Sequence, residues 1–474
     1  MIIKIGLEIH CQLTEIKSKL FCSCFSNYRT RDVNENICPI CVGLPGTLPL
    51  LNRNALNHAI MISKTLNCEI PEMLMFSRKN YFYPDLPKNF QITQYDTDGT
   101  NTCIGKRGEV YYGDGKKVRI LRIQLEEDPG RIVYEESTKQ ALIDYNRSGV
   151  ALVEIVTAPD FDDPKDVRLF LNKITSILAH LNVCRTDLEG SIRCDANISI
   201  REGKKVEIKN VSSFKDVEKA LTYEIARQQT MNVHDIEIKA ETRHWDEKRK
   251  ITKQSRSKEE VEDYRYFPEP DIPKILVDQK YISSLKIPEL PDDRKLRFIS
   301  QFGLSEHVSQ VLIDNKELGD LFESAVKIYY SPISISNWIV SDILAFLDFD
   351  SSGKKTLEEM KINANHIVEV ARLVDENVIN RTVAKGILSR IIKTGELPSK
   401  IINEKQVSLI TDEKLLSTTI CSVFDKEKNA VEDAKRNPTV INYLLGKVMR
   451  ETSGRADAKI TLRLIRKNLE EGGR

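Results

Sequence analysis

The sequence predicts an α+β protein, and three observations lead there. Short β-branched segments alternate with turn signals up to about residue 275, apolar residues fall at helical spacing beyond Asp292, and four cysteines pair up near the start. Val118–Ile123, Leu152–Val156 and Ala196–Ile200 read as strands of a mixed or largely antiparallel sheet. Between and after them, Val167–Leu181 and Val217–Gln228 each place their aliphatic residues on one face, which predicts two helices. Prolines then accumulate at 268, 270, 273, 288 and 291, a composition shift that suggests a linker or a domain edge. From there the pattern is helical. Ser305 and Ser336 are candidate N-caps, Ile367–Leu373 forms a third apolar stripe, and Pro398 precedes a last segment with Ala458, Leu462, Ile465 and Leu469 in helical register. The expected division is therefore 1–291, 292–400 and 401–474.

Cys22 and Cys24 in Phe-Cys-Ser-Cys, with Cys38 and Cys41 in Cys-Pro-Ile-Cys, form a set with metal-ligand spacing. Two short chelating turns flank a loop of hairpin length, an economical way to gather four thiolates around a structural zinc. The first pair is tighter than the commoner Cys-x-x-Cys, and four reduced cysteines packed as small apolar groups is the other reading. The remaining six cysteines are scattered, which in a chain of 474 residues argues for reduced thiols and not a disulfide framework. No apolar run reaches membrane-spanning length, and the chain opens on strand-like Ile2-Ile-Lys-Ile5, so a cytoplasmic protein is expected. The formal charge is +1, with 41% hydrophobic residues and a mean hydropathy of −0.35. That near-neutrality hides a basic tail. From Lys435 to Arg474 ten Lys and Arg face four Asp and Glu, a surplus of six, which is either a polyanion contact or a solvated helical face.

Within the first 291 residues, polar words interrupt the strand pattern. Glu8 and His10 fall on one face of a strand, as a pair that could share a divalent ion or as a surface couple. Glu126, Glu127 and Asp128 precede a Pro-Gly turn, where three adjacent acids need either water or a cation. Arg78-Lys79-Asn-Tyr81-Phe-Tyr-Pro-Asp-Leu-Pro-Lys88 offers lysines for phosphate and aromatic rings for stacking. Gly190–Asn197, with Asp195, and Val206–Asn210, with Glu207, add acids and bases of the same kind. Neither a Walker loop nor a kinase glycine-rich loop is present. Acids for a metal beside bases for a phosphate are what phosphoryl transfer requires.

These words, taken in order, resemble one family. Gly6-Leu-Glu-Ile-His10, the cysteine pairs with Gly43-Leu-Pro-Gly46, Arg78–Asp85, Leu125–Asp128, Asp144-Tyr-Asn-Arg147, Glu154-Ile-Val156, Gly190–Asn197, Glu241-Thr-Arg243 and Asp263–Asp271 are similar to those of the GatB subunits of the heterotrimeric GatCAB aspartyl/glutamyl-tRNA(Asn/Gln) amidotransferases. Gly446-Lys-Val-Met449 and Gly454 look like the family's small helical tail, itself similar to YqeY proteins. The resemblance implies a cradle-shaped catalytic domain with a zinc-ribbon-like insertion, a helical middle domain and a tRNA-binding tail. It implies a ligase reaction with ATP, magnesium and a structural zinc. The side-chain carboxylate of a mischarged Glu-tRNA(Gln) or Asp-tRNA(Asn) is phosphorylated, then amidated with ammonia from the glutaminase partner GatA, alongside the small partner GatC.

Residue by residue, the resemblance assigns Glu8, His10 and Glu127 to magnesium, with Asp195 and Glu207 in reserve. It gives Lys79, Lys88, Tyr81 and Glu126 to the activated carboxylate and the ammonia route, and Cys22, Cys24, Cys38 and Cys41 to zinc. Lys435, Arg436, Lys447, Arg450 and Arg455 are candidate tRNA contacts. One departure is Gln124, where the family usually has histidine; glutamine relays no proton near neutrality, so no acid–base role is expected there. The related GatE protein of the GatDE enzyme carries an inserted domain for which this chain has no room. The reading from another class is a non-catalytic zinc-ribbon protein that offers its basic tail to RNA, and magnesium-dependent ATP turnover would separate the two.

Overall fold

The computed structural model describes residues 2–95, 102–135, 137–201, 203–257, 264–348, 357, 359–405, 410, 412–452 and 456–471. The chain separates into two compact units, Met1–Pro291 and Asp292–Arg474.

The first unit is built on an eight-stranded sheet. From one edge to the other its strands run Ile251–Ser257, Glu241–Asp246, Val206–Lys209, Ile192–Ile200, Ile3–Gln12, Ala151–Thr157, Lys116–Glu127 and Gly105–Tyr112. All pairings are antiparallel except that of Val206–Lys209 with Glu241–Asp246. Side chains on a strand alternate between faces, and here the alternation is chemical. Ile5, Leu7, Ile9 and Cys11 point to one face with Val153, Ile155, Cys194, Ala196, Ile198, Val206 and Ile208, all buried in one core. Helices Arg53–Thr65, Pro164–His180 and Phe214–Val233 contribute Ile60, Phe170, Ile174, Val217 and Leu221 to that core. The predicted helices gain a turn from their caps: Asp163 accepts from the Lys165 N–H ahead of Pro164, and Ser213 accepts from the Asp216 N–H.

The opposite face carries the intervening residues. Gln124, Glu154, His10 and Arg193 stand in one row across four strands, because Gln124 pairs with Glu154, Glu154 with His10, and His10 with Arg193. Glu8 faces Asp195 and Asn197 faces Glu207 in neighbouring rows. Close to the end of this face lies a three-stranded sheet of Phe267–Pro268, Ser77–Asn80 and Phe90–Thr93. The proline-rich stretch is thus ordered: Phe267–Pro268 pairs with Ser77 and Arg78, and Ile275–Leu276 pairs with Met73–Leu74. Arg78 holds Glu269 through two bonds of 2.7 and 2.8 Å and lies over the Phe90 ring.

The cysteine segment between Gln12 and Arg53 contains neither a helix nor a paired strand, only turns and an isolated bridge of Ser18 with Phe25. Gly43 there has φ +69°, and a Cβ on it would meet Lys88 Cγ at 2.5 Å, so glycine is required by conformation and by space.

The second unit is helical. One core, with Phe298, Leu312, Phe322, Trp338, Ile367 and Ile391, gathers the helices from Pro291–Phe302 to Pro398–Lys405. Another, with Leu416, Ile420, Leu444, Val448 and Ile465, gathers those from Glu413–Lys426 to Ala458–Glu471. Ser305 caps Glu306–Asp314 as expected, accepting from the Val308 N–H. Ser336 does not cap: it is buried inside Pro332–Trp338 and donates to the Ile333 carbonyl, because Pro332, with its fixed φ, starts that helix earlier.

Candidate active site

A cavity of about 330 Å³ opens over the polar face of the sheet, lined among others by Glu8, His10, Lys79, Tyr81, Glu126 and Glu154. On its floor His10 Nε2 lies 3.7 Å from Glu126 Oε1 and 3.9 Å from Glu154 Oε1. The three offer ligand atoms within 4.8 Å of one another. The imidazole is held down to about pKa 3 by burial and by Arg193, Lys209 and Lys79, against the pull of Asp128, so it is neutral and free to ligate. Glu154 is pushed up to about 8 by burial and by Glu126 and Glu8, despite Arg122, and burial raises Glu126 as well. Two carboxyls crowded beside a neutral imidazole are a donor set that a divalent cation fits: it restores both charges that burial suppresses.

Glu127 does not join this group. Alternation puts it on the other face, with Ile123 and Leu125, where Lys88 Nζ reaches its two oxygens at 2.5 and 2.6 Å and the Ile92 N–H donates to Oε1 at 2.8 Å. The acidic word is therefore divided three ways. Glu126 enters the cavity, Glu127 meets Lys88, and the wholly buried Asp128 accepts from Gln12 at 2.6 Å and Arg193 at 2.9 Å. Separate partners relieve the repulsion expected of three consecutive acids. Glu127 and Lys88 line a second cavity of about 240 Å³, bounded also by Cys22, Cys41, Arg78 and Glu269.

Lys79 projects into the first cavity over Tyr264, 4.6 Å from the ring centroid, and Tyr81, 5.5 Å away. Among the described residues no carboxylate oxygen lies within 4.0 Å of its ammonium, so its charge is available to an anion. Burial raises the Tyr81 phenol above its ordinary pKa, which keeps it a hydrogen-bond donor. Farther along the face Glu8 accepts from Asn197 at 2.9 Å, while Lys209 bridges Asp195 at 3.5 Å and Glu207 at 3.1 Å. Asp195 is pushed up to about 6 by burial and by Glu207 and Glu8, although Lys209 opposes this. These acids form a second group beside the His10 group, already neutralised in part by a lysine.

Four sulfurs come together as the spacing predicts: Cys22, Cys24, Cys38 and Cys41 lie within 4.8 Å of one another, a tetrathiolate set able to hold a metal. Of the tail residues, Lys447 and Arg450 line one cavity with Glu427 and Glu451. Lys447 is paired with Glu427 and lies over Tyr443, Arg450 is exposed, the side chains of Lys435 and Arg436 lie outside the described part, and so does Arg455. Sequence reasoning missed the placement of Glu154, Arg193 and Lys209 in the cavity, and of the Tyr264 ring against Lys79. A signal for Glu154 existed, since it is a lone acid within the apolar run Leu152–Val156.

Residues 3–283 match the GatB/GatE catalytic domain and residues 320–469 the GatB domain. A chain that joins these two parts is an amidotransferase subunit. It is similar to proteins named as the B subunit of aspartyl/glutamyl-tRNA(Asn/Gln) amidotransferase: 47% identical to that of Sulfurisphaera tokodaii and 46% to that of Saccharolobus solfataricus, each over 98% of this chain and 99% of the relative. The counterpart in Carboxydothermus hydrogenoformans is 41% identical over 98% of both chains. The chain belongs to the family of aspartyl/glutamyl-tRNA(Asn/Gln) amidotransferase B subunits. Among the described residues no helix is long and apolar enough to cross a membrane.

Proposed function

We propose that this protein activates and amidates the side-chain carboxylate of a mischarged tRNA, Glu-tRNA(Gln), Asp-tRNA(Asn) or both. The carboxylate oxygen bonds to the γ-phosphorus of ATP while the bond to ADP breaks, and ammonia then attacks the acyl carbon and expels inorganic phosphate. The observation that carries the reading is the group of His10, Glu126 and Glu154 facing Lys79 across one cavity.

His10, Glu126 and Glu154 would hold magnesium, which when bound offsets charge on the phosphate oxygens. Lys79 draws the transferring phosphoryl group by its charge, and Tyr81 orients an oxygen of the acyl group by donating a hydrogen bond. Glu8, with Asp195 and Glu207 behind it, steadies the neighbouring row and is a candidate for a further cation. Lys88 and Glu127 line the second cavity, next to Glu126, and we assign them to the passage of ammonia from a glutaminase partner, with a small third protein completing the enzyme. The cysteines hold zinc as a staple of a ribbon-like insertion, although their segment is built of turns. The helical unit divides near residue 400 into a middle domain and a tail, following its two cores. Lys447 and Arg450, with Lys435, Arg436 and Arg455, offer the tail to tRNA phosphates in the cytoplasm.

Co-expression with the partner proteins, followed by conversion of both mischarged tRNAs with ATP and glutamine, tests the reading. Amide formation that requires this chain, ATP and magnesium is expected; binding of tRNA without ATP turnover contradicts it.

A further inference from the structure

Lys19, within the cysteine segment, is a lysine with 0% exposure. Its backbone N–H donates to the Cys24 carbonyl at 2.9 Å, and its ammonium donates to the Asn36 carbonyl at 2.8 Å and to Cys41 Sγ at 3.7 Å. Asn36 is itself fixed, since its N–H donates to Asn146 Oδ1 at 2.7 Å and its side-chain amide to the Phe25 carbonyl at 2.9 Å. Gly149 packs on the other side, where a Cβ would lie in ordinary contact with Lys19 Cδ at 3.6 Å and Cys41 Cβ at 3.5 Å. Among the described residues no carboxylate oxygen lies within 4.0 Å of the ammonium.

A buried cation is expensive unless an anion faces it, and a carbonyl supplies only a partial charge. Sulfur is what remains. Four thiolates around a divalent ion carry a net charge of −2, which is itself costly to bury, and one ammonium at 3.7 Å from a ligand sulfur halves it. We propose that Lys19 is the built-in counter-ion of a metal–thiolate centre at Cys22, Cys24, Cys38 and Cys41. The proposal rests on the reading of those cysteines as a metal site. It gives the site an outer partner that fixes the orientation of the Cys41 sulfur and makes the loaded centre cheaper to bury. Lys19 is accordingly a positioning residue of the metal centre and takes no part in phosphoryl transfer.

The test uses the full-length chain, freed of metal under reducing conditions and titrated with cobalt(II), whose thiolate charge-transfer bands report tetrahedral sulfur coordination. Wild type is expected to show these bands and Cys38→Ser to lose them. Lys19→Met should bind cobalt about tenfold or more weakly in competition with a chelator, with displaced bands, and Lys19→Arg should recover part of the loss. If Lys19→Met does not fold, Lys19→Gln, which keeps a donor for Asn36 without the charge, carries the same expectation. Wild-type affinity and spectrum in the uncharged variant overturn the counter-ion. Missing bands in wild type overturn the metal site itself, a separate failure visible before any Lys19 variant is made.

Discussion

His10 and Glu126 meet at 3.7 Å across the polar face of the sheet, while Glu127, the next residue, turns away to Lys88. One peptide unit therefore separates the cavity that would hold magnesium from the one assigned to ammonia. Glu126→Gln and Glu154→Gln should each lower tRNA-dependent ATP cleavage about a hundredfold or more while the partner's glutaminase activity persists. Measurement of both activities in the assembled enzyme checks this, and loss of both together would point to misfolding.

Glu127 and Lys88 are nearly closed to solvent, with 5% and 9% of their side chains exposed. Glu127→Gln should cost about 3–5 kcal/mol of stability, because it leaves an ammonium buried without its anion. Lys88→Met added to it should recover much of that loss, with amidation still impaired. Urea unfolding of the two single variants and the double variant forms the cycle that decides it.

The Lys79 ammonium lies over two tyrosine rings, and among the described residues no carboxylate oxygen is within 4.0 Å of it. Lys79→Ala should reduce ATP cleavage by roughly a hundredfold with little change in unfolding midpoint, since no buried ion pair is broken. Steady-state kinetics beside thermal denaturation separates the two effects.

In metal-free protein Glu154 keeps its proton up to about pH 8, against an ordinary value of 4.5. Between those values the folded state binds a proton that the unfolded chain has released, so stability falls as pH rises through the window and levels off above it. Asp195, raised to about 6, adds the same sign at its lower end. Unfolding in a chelating buffer should show a decline on the order of 2 kcal/mol or more from about pH 5 to about pH 8, much reduced in Glu154→Gln.

Stripping metal from the cysteines should lower the melting midpoint by about 5 °C or more, with phosphoryl transfer kept by the protein that stays folded. Calorimetry with and without a chelator tests this; lost transfer at an unchanged midpoint would make the centre more than a staple.

Much of this arrangement is legible in local pattern. Arg122, Gln124 and Glu126 alternate with Ile123, Leu125 and Glu127, so the separation of the two glutamates follows from period two once the apolar partners are placed on the core. The same rule puts Glu8 beside His10. Glu154 is different, because its place beside His10 is set by pairing between distant strands, and register is a long-range property that no window of sequence contains. The cysteine spacing is local and gathers as expected, whereas Lys19, an ordinary lysine in sequence, becomes informative only once its burial is known. Ser336 fails as a cap for a local reason, since Pro332 sits close upstream and starts the helix first.

The most direct test of the account is the magnesium dependence of acyl-phosphate formation on mischarged tRNA, trapped with hydroxylamine, in Glu126→Gln and Glu127→Gln. The account predicts that Glu126→Gln needs at least about tenfold more magnesium or forms no acyl phosphate, while Glu127→Gln keeps the wild-type magnesium requirement and fails in amide formation. A wild-type magnesium curve for Glu126→Gln, with the shift found in Glu127→Gln, would contradict it.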